Sequence, residues 1–166
     1  MNRELVRELE AVLCDELILH ENILKLTSRK CKAITSDKID ELEELNAEEK
    51  KLSDLIRDKE KARMTAAGKL CADLGIPSNS RLKQIIGNIM GGDRERLAQL
   101  RERLLTTIDK IKTQNHVNME LLRQLLGHIT AFFDKLGGLT SEQNANYDSS
   151  GKSKNAGSNL LINRVG

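Results

Sequence analysis

The sequence has few aromatic residues and almost no proline. Its 166 residues contain two Phe, one Tyr and no Trp, and Pro77 is the only proline. A β-sandwich or barrel needs β-branched runs and frequent turn residues, which this composition does not favour. A stacking surface for single-stranded nucleic acid needs more aromatic rings than these. We therefore expect neither an all-β protein nor a base-stacking one.

Long apolar runs are also missing. The longest segment without a charged residue, 124–133, has ten residues, whereas a membrane-spanning helix needs about 20. Charged residues within the first ten positions interrupt the apolar core that a signal peptide would need. The sequence therefore predicts a cytoplasmic protein that does not insert into a membrane.

The charge balance lacks the strong basic excess of nucleic-acid-binding proteins. Lys and Arg number 27 against 25 Asp and Glu, so we expect no nucleic-acid partner. The charges are unevenly placed: residues 36–60 carry ten acids and five bases, and residues 81–123 carry nine bases and five acids. If these two stretches faced each other, they would need no outside partner.

Candidate metal ligands and catalytic groups are sparse. The three cysteines are odd in number and widely spaced, which is typical of reduced thiols rather than of a disulfide framework or a zinc site. Glu16 with His20, and His116 with Glu120, each share a helix face at a spacing of four. The Glu-x-x-His repeat of di-iron bundles is absent. We expect no catalytic residue, no metal and no cofactor, and hence no enzyme.

Leucine is the most abundant residue, with 26 occurrences, and it recurs at helical spacing. The spacing between apolar residues increases to five from Ile34 to Ile39, which separates the first two helices. The sequence Leu74-Gly75-Ile76-Pro77 is a strong signal for the end of a helix. The apolar seam of the last helix continues through Phe132 and Leu136. The spacing predicts helices over the following ranges: about 3–35, 38–74, 79–90 and 94–136.

These helices predict an all-α fold. None of the three long helices can bury its apolar stripe alone, so we expect an elongated antiparallel three-helix coiled-coil bundle with a short extra helix, over residues 1–139. Gly137-Gly138 is expected to end the last helix. The tail, 140–166, is rich in Ser and Asn, and we expect it to be disordered in the free protein.

Two features point to a partner. The tail ends in an apolar cluster, Leu160, Leu161, Ile162 and Val165, which is typical of a segment that orders on another protein. Asn115 and Asn118 occupy seam positions where apolar residues are expected. They either shape a partner groove or form a polar layer that sets the helix register.

With these residues the chain resembles the FlgN-type flagellar export chaperones. The specific features are Asn115-x-x-Asn118-x-x-Leu121-Leu122 late in the third long helix, and Tyr147-x-x-x-Gly151 in a polar tail that closes on the apolar cluster. The resemblance covers almost the whole chain.

The resemblance implies a cytoplasmic chaperone without ATPase activity. It would hold the hook-filament junction proteins FlgK and FlgL before secretion and deliver them to the flagellar type III export gate. It assigns docking on the gate component FlhA to Tyr147 and Gly151. It assigns cargo contact to the apolar cluster of the tail and to the motif late in the third long helix: Asn115, Asn118, Leu121 and Leu122.

Other functions stay open at this point. One is a structural or adaptor coiled coil unconnected to secretion, which would form a stable homo-oligomer. Another is a metal-dependent bundle enzyme that uses the Glu/His pairs. Weak self-association of a chaperone is also open.

Overall fold

The structure, a computed structural model, describes the backbone of residues 2–145 and the side chains of residues 2–136. Within this part of the chain all regular structure is helical, so the predicted all-α class is confirmed. Two structural units divide the chain, residues 1–121 and 122–166. The helices are α1 (Arg3–Thr35), α2 (Ile39–Leu74), α3 (Leu82–Gly87) and α4 (Gly92–Ala145).

The turn between α1 and α2 depends on Asp37. This residue has φ 53°, a left-handed conformation that Asp tolerates better than most side chains. The Lys38 N–H donates to the Ala33 carbonyl at 3.0 Å, and the Asp37 N–H donates to the Ile34 carbonyl at 3.4 Å. These two bonds close α1 as a Schellman motif. The polar residues at the phase slip therefore end α1, whereas the start of α2 has no side-chain cap.

The stop after α2 uses glycine in the same way. Gly75 has φ 68°, and the Ile76 N–H donates to the Cys71 carbonyl at 3.0 Å. Glycine adopts this conformation without the steric cost of a Cβ atom. Pro77 follows and prevents the helix from resuming, as the sequence predicts.

Helices α1 and α2 run in opposite directions. As residue numbers rise along α1, the numbers of the partners on α2 fall, which fixes the antiparallel direction. Three ion pairs show this order: Glu8–Lys69 at 2.7 Å, Glu16–Arg63 at 2.9 Å and Lys30–Glu49 at 2.7 Å.

The first part of α4 runs in the same direction as α1. Arg96 pairs with Glu10 and Arg103 pairs with Glu21, each at 3.0 Å, so the numbers rise together on both helices. Together with α2 and α3, these segments enclose one apolar core. Its fully buried members come from all four helices and from the segment just after α3: Val6, Leu9, Leu13, Leu70, Ile85, Ile89 and Leu97.

The last helix continues past its predicted end. The structure carries α4 through Gly137-Gly138 to Ala145, so residues 140–145 are helical rather than part of a disordered tail. Glycine inside a helix costs only about 1 kcal/mol against alanine, and within residues 139–145 no proline or left-handed residue follows the pair to end the helix. Residues 146–166 of the predicted tail lie outside the described residues.

The short helix is smaller than its pattern predicts. It covers Leu82–Gly87 instead of 79–90, because the Ser80 N–H bonds to the Pro77 carbonyl in a preceding turn. Ile89 is still buried, at 1% exposure, although it lies after the helix. An apolar spacing thus marked the buried face correctly but overestimated the helical length.

The ion pairs of residues 36–60 and 81–112 show whether these parts of the two oppositely charged stretches meet. No ion pair within 4.0 Å joins an acid of residues 36–60 to a cation of residues 81–112. Arg96 and Arg103 bond instead to α1, and Arg101 and Lys112 bond to near neighbours in α4. Acids of the first stretch likewise bond to α1, as in Glu48–Arg29 and Glu49–Lys30. Within these residues, ion pairs therefore do not join the two stretches.

Replacing Gly75 by alanine should lower the free energy of unfolding by about 1 kcal/mol, because the new Cβ atom would be strained at positive φ. The matched control is Gly68→Ala inside α2, where an added Cβ meets nothing within 4 Å. That variant should gain roughly 0.5–1 kcal/mol from helix propensity. Urea denaturation of both variants measures the difference, and a Gly75→Ala protein as stable as Gly68→Ala would contradict the assigned turn.

Candidate functional site

The second half of α4 carries an amphipathic stripe. From residue 122 to residue 136 its large apolar residues recur at steps of one, three and four, which places them on one side of the helix. We call this set the α4 apolar face: Leu122, Leu125, Leu126, Ile129, Phe132, Phe133 and Leu136. It lies wholly within the second structural unit.

Most of the α4 apolar face is exposed. Leu126 and Phe133 are each 63% exposed and Phe132 is 60% exposed. The two phenylalanine rings lie edge to face, with centroids 6.1 Å apart, so they present one aromatic surface. Contiguous apolar surface of this kind marks interaction sites in soluble proteins. It is the strongest candidate for a binding surface on the described chain.

Sequence reasoning placed this segment in the bundle core, and that placement is wrong. Leucine, isoleucine and phenylalanine at helical spacing look the same whether the stripe is buried in the fold or left for a partner. Ile129 and Leu136 are more than 40% exposed, although both continue the predicted seam. The two cases differ in whether another part of the fold covers the stripe, and residue spacing alone does not show this.

Asn118 forms a buried polar link between α4 and α1. Its side chain is 5% exposed, and its Nδ2 donates to the Thr27 carbonyl at 2.9 Å. Its Oδ1 accepts from Gln114 at 3.3 Å. Because a buried amide is costly unless bonded, these partners favour one alignment of the two helices. The geometry corresponds to the register-setting role that the sequence left open.

The other residues of the predicted cargo motif are more exposed than Asn118. Asn115 is exposed, so it does not share the seam position of Asn118, and this expectation is wrong. Leu121 and Leu122 are half-buried, and Leu122 begins the α4 apolar face. The motif therefore combines one structural residue with residues that a partner can reach.

The other predicted contact residues lie outside the described residues. They are the proposed gate residues Tyr147 and Gly151 and the apolar cluster of Leu160, Leu161, Ile162 and Val165.

Glu16 is a buried carboxylate whose role sequence reasoning missed. Its residue is 1% exposed, and its Oε1 accepts from Arg63 Nε of α2 at 2.9 Å. Burial raises the pKa of Glu16, while the Arg63 hydrogen bond and charge oppose that rise. Its spacing of three from Leu13 already put it on the buried stripe. The carboxylate thus joins α1 to α2 within the core.

The predicted Glu/His pairs form no metal centre within residues 2–136, where no three His, Cys, Asp or Glu side chains gather around one point. His20 Nδ1 lies 2.7 Å from the carbonyl oxygen of Glu16, not from its carboxylate. Burial also raises the pKa of Cys71, which disfavours the thiolate form that metals and electrophiles require.

These helices and the exposed α4 apolar face define a helical protein suited to binding another protein. Comparison with known proteins gives the family. The FlgN protein model matches residues 1–155, and the chain belongs to the FlgN family, a chaperone family rather than an enzyme family. The resemblance found in the sequence is thereby confirmed.

A relative from Bacillus subtilis (strain 168), named "Uncharacterized protein YvyG", is 31% identical over 137 residues. The match covers 82% of each chain. No solved structure matches the chain. In the part of the chain that the structure describes, none of the helices combines the length and apolarity needed to cross a bilayer.

The buried Glu16 predicts a distinct pH dependence. A raised pKa means that the folded protein holds the Glu16 proton more tightly than the unfolded chain does. This tighter proton binding stabilises the folded protein. Its contribution to the free energy of unfolding is complete at a pH below 4.5, the ordinary glutamate pKa, and is lost as the pH rises through the folded-state pKa of Glu16. Glu16→Gln cannot ionise, so its free energy of unfolding should increase relative to that of the unsubstituted protein as the pH rises above 4.5.

Urea denaturation of both proteins at a series of pH values between about 4 and 7 measures this difference. A relative loss of stability in Glu16→Gln as the pH rises would show that attraction to Arg63 outweighs burial, and would contradict the raised pKa.

Proposed function

We propose that the protein is a cytoplasmic flagellar type III export chaperone that binds FlgK and FlgL, keeps them unassembled and delivers them to the export gate. Membership of the FlgN family supports the chaperone class. The exposed α4 apolar face is the observation that supports a cargo surface. In this proposal the long helices form an antiparallel three-helix coiled coil.

The chemistry of the α4 apolar face suits an amphipathic helix. Seven apolar residues over 15 positions cover about four helical turns, or roughly 21 Å. A cargo helix with its own apolar face would bury both stripes side by side, as in helix-in-groove recognition. Each 100 Å² of apolar surface removed from water contributes about 2.5 kcal/mol before ordering costs are subtracted. Covering the cargo stripe in this way prevents cargo molecules from associating with each other.

The motif at the start of the α4 apolar face would contribute to the same contact. Leu122 belongs to the α4 apolar face, and the family resemblance assigns cargo contact also to Leu121 and to the exposed Asn115 of the first structural unit. Asn118 acts differently: its bond to Thr27 fixes the register of α4 against α1. We expect its substitution to weaken folding rather than to remove a cargo contact.

The tail would add a second set of contacts. In this proposal Leu160, Leu161, Ile162 and Val165 order on the cargo, at a cost of about 2–5 kcal/mol. That cost keeps the affinity moderate, so the cargo can be released at the gate. Tyr147, with Gly151, would dock on FlhA, as the family resemblance implies.

Polar substitutions on the α4 apolar face should weaken cargo binding. The double substitution Leu126→Ser, Phe133→Ser removes two side chains that are each 63% exposed. We expect binding of purified FlgK, measured by calorimetry, to weaken at least about tenfold, since large apolar anchors dominate such interfaces. Circular dichroism should show unchanged thermal unfolding, because exposed side chains contribute little to the core.

The matched control is Leu55→Ser, which replaces a leucine of α2 that is 52% exposed. It should bind FlgK as the unsubstituted protein does. Equal loss of binding in the control and the double variant would mean that general surface polarity, and not the α4 apolar face, determines the affinity.

The gate assignment predicts a separation of two activities. Tyr147→Ala should weaken binding to the cytoplasmic part of FlhA and leave FlgK affinity unchanged, because the ring is assigned to the gate alone. A chain truncated after Ala145 should lose gate binding and also bind FlgK more weakly, since it lacks the apolar cluster. If Tyr147→Ala lowers FlgK affinity instead, Tyr147 belongs to the cargo site.

A further inference from the structure

Three exposed cations beside α3 have no acidic partner. Arg81, Lys83 and Arg94 form none of the ion pairs within 4.0 Å in the described part of the chain. All three side chains are exposed. Among the acids of residues 36–60, which the sequence offered as counterparts, Glu48 and Glu49 bond to α1 instead. These cations therefore form a positive surface that the fold itself does not neutralise.

The three cations line two adjoining grooves within the first structural unit. One groove, of about 340 Å³, lies among α2, α3 and α4, and Arg81 and Lys83 stand on its rim. The other, also of about 340 Å³, lies between α3 and α4 beside Lys83 and Arg94. Lys83 and Arg101 line both grooves, so we treat the pair as one feature and call it the basic groove.

The floor of the basic groove is apolar. Leu82, Leu105 and Ile108 line it, and Leu105 is 41% exposed. Glu102 is the single carboxylate that lines either part, among the residues that the structure describes, and it lies 3.8 Å from Arg101. A concave apolar floor between cationic rims has the pattern of a site for a chain that is apolar on one side and acidic on the others.

We propose that the basic groove binds an acidic amphipathic helix of a partner protein. Along α4 the groove extends from Arg94 to Ile108, a rise of roughly 21 Å, which equals about 14 residues of a bound helix. Apolar side chains at steps of three and four would rest on Leu105 and its neighbours. Carboxylates on both flanks would reach Arg81, Lys83 and Arg94. Charge complementarity favours this occupant.

This surface differs from the α4 apolar face in both place and chemistry. It belongs to residues 1–121, whereas the α4 apolar face begins at Leu122. Nucleic acid is the less suited occupant, because none of the described residues that line the basic groove has an aromatic ring to stack on bases, and its floor offers leucine and isoleucine side chains. The proposal does not depend on the cargo assignment, and its test needs no cargo.

The test uses the full chain and synthetic 14-residue helical peptides. One peptide carries leucine at steps of three and four with glutamate at the other positions, and two matched peptides carry glutamine or lysine in place of glutamate. Fluorescence anisotropy should show binding of the glutamate peptide at least about tenfold tighter than that of either control peptide. The double substitution Lys83→Glu, Arg94→Glu should weaken binding of the glutamate peptide by about tenfold or more. Leu105→Ser should also weaken its binding.

The control protein is Lys50→Glu, Lys51→Glu, which makes the same change in net charge at exposed positions of α2 outside the basic groove. It should retain binding within about twofold of the unsubstituted chain. Equal affinity for the glutamate and glutamine peptides would overturn the proposal. So would tighter binding of a DNA duplex that is lost in the Lys83→Glu, Arg94→Glu protein, since nucleic acid would then be the ligand. Self-association in sedimentation that this variant abolishes would likewise overturn it in favour of a second copy of the chain.

Discussion

The fold depends on the need of every long amphipathic helix to cover its apolar stripe. Helix α1 covers its stripe with α2, α3 and the first part of α4, and leucines such as Leu9 and Leu70 reach 0% exposure there. From residue 122 to residue 136 the same kind of stripe is exposed in α4. The physical requirement is the same in both segments, and in the proposed function the second segment meets it by covering the stripe of a cargo protein.

Polar groups inside the first unit decide how its helices align. An apolar stripe alone allows neighbouring helices to slide by a turn at small cost, because one leucine replaces another. The Asn118 bond to Thr27 and the Glu16 bond to Arg63 remove that freedom, since each would leave a buried polar group unsatisfied in any other register. These two links favour one arrangement of α1 with α4 and of α1 with α2.

Leucine spacing predicted α1 over the range that the structure shows, and the Gly75–Pro77 stop predicted the end of α2. These two predictions are correct because local residue spacing and backbone conformation determine both features. The end of α4 was missed because two glycines lower helix stability without forbidding a helix. The exposure of Phe133 and the solvent position of Asn115 could not be predicted, since both depend on which neighbouring surface is present. The unpaired cations of the basic groove were hidden for the same reason, because net charge does not show which charges meet.

In the proposed function, the α4 apolar face is the surface that holds cargo. Hydrogen exchange of the full chain, followed by mass spectrometry with and without purified FlgK, tests it most directly. If this surface holds cargo, amides of residues 122–136 should exchange at least about tenfold more slowly in the complex, while those of residues 39–60 keep their rates. Unchanged exchange over residues 122–136 in a chain saturated with FlgK would contradict it.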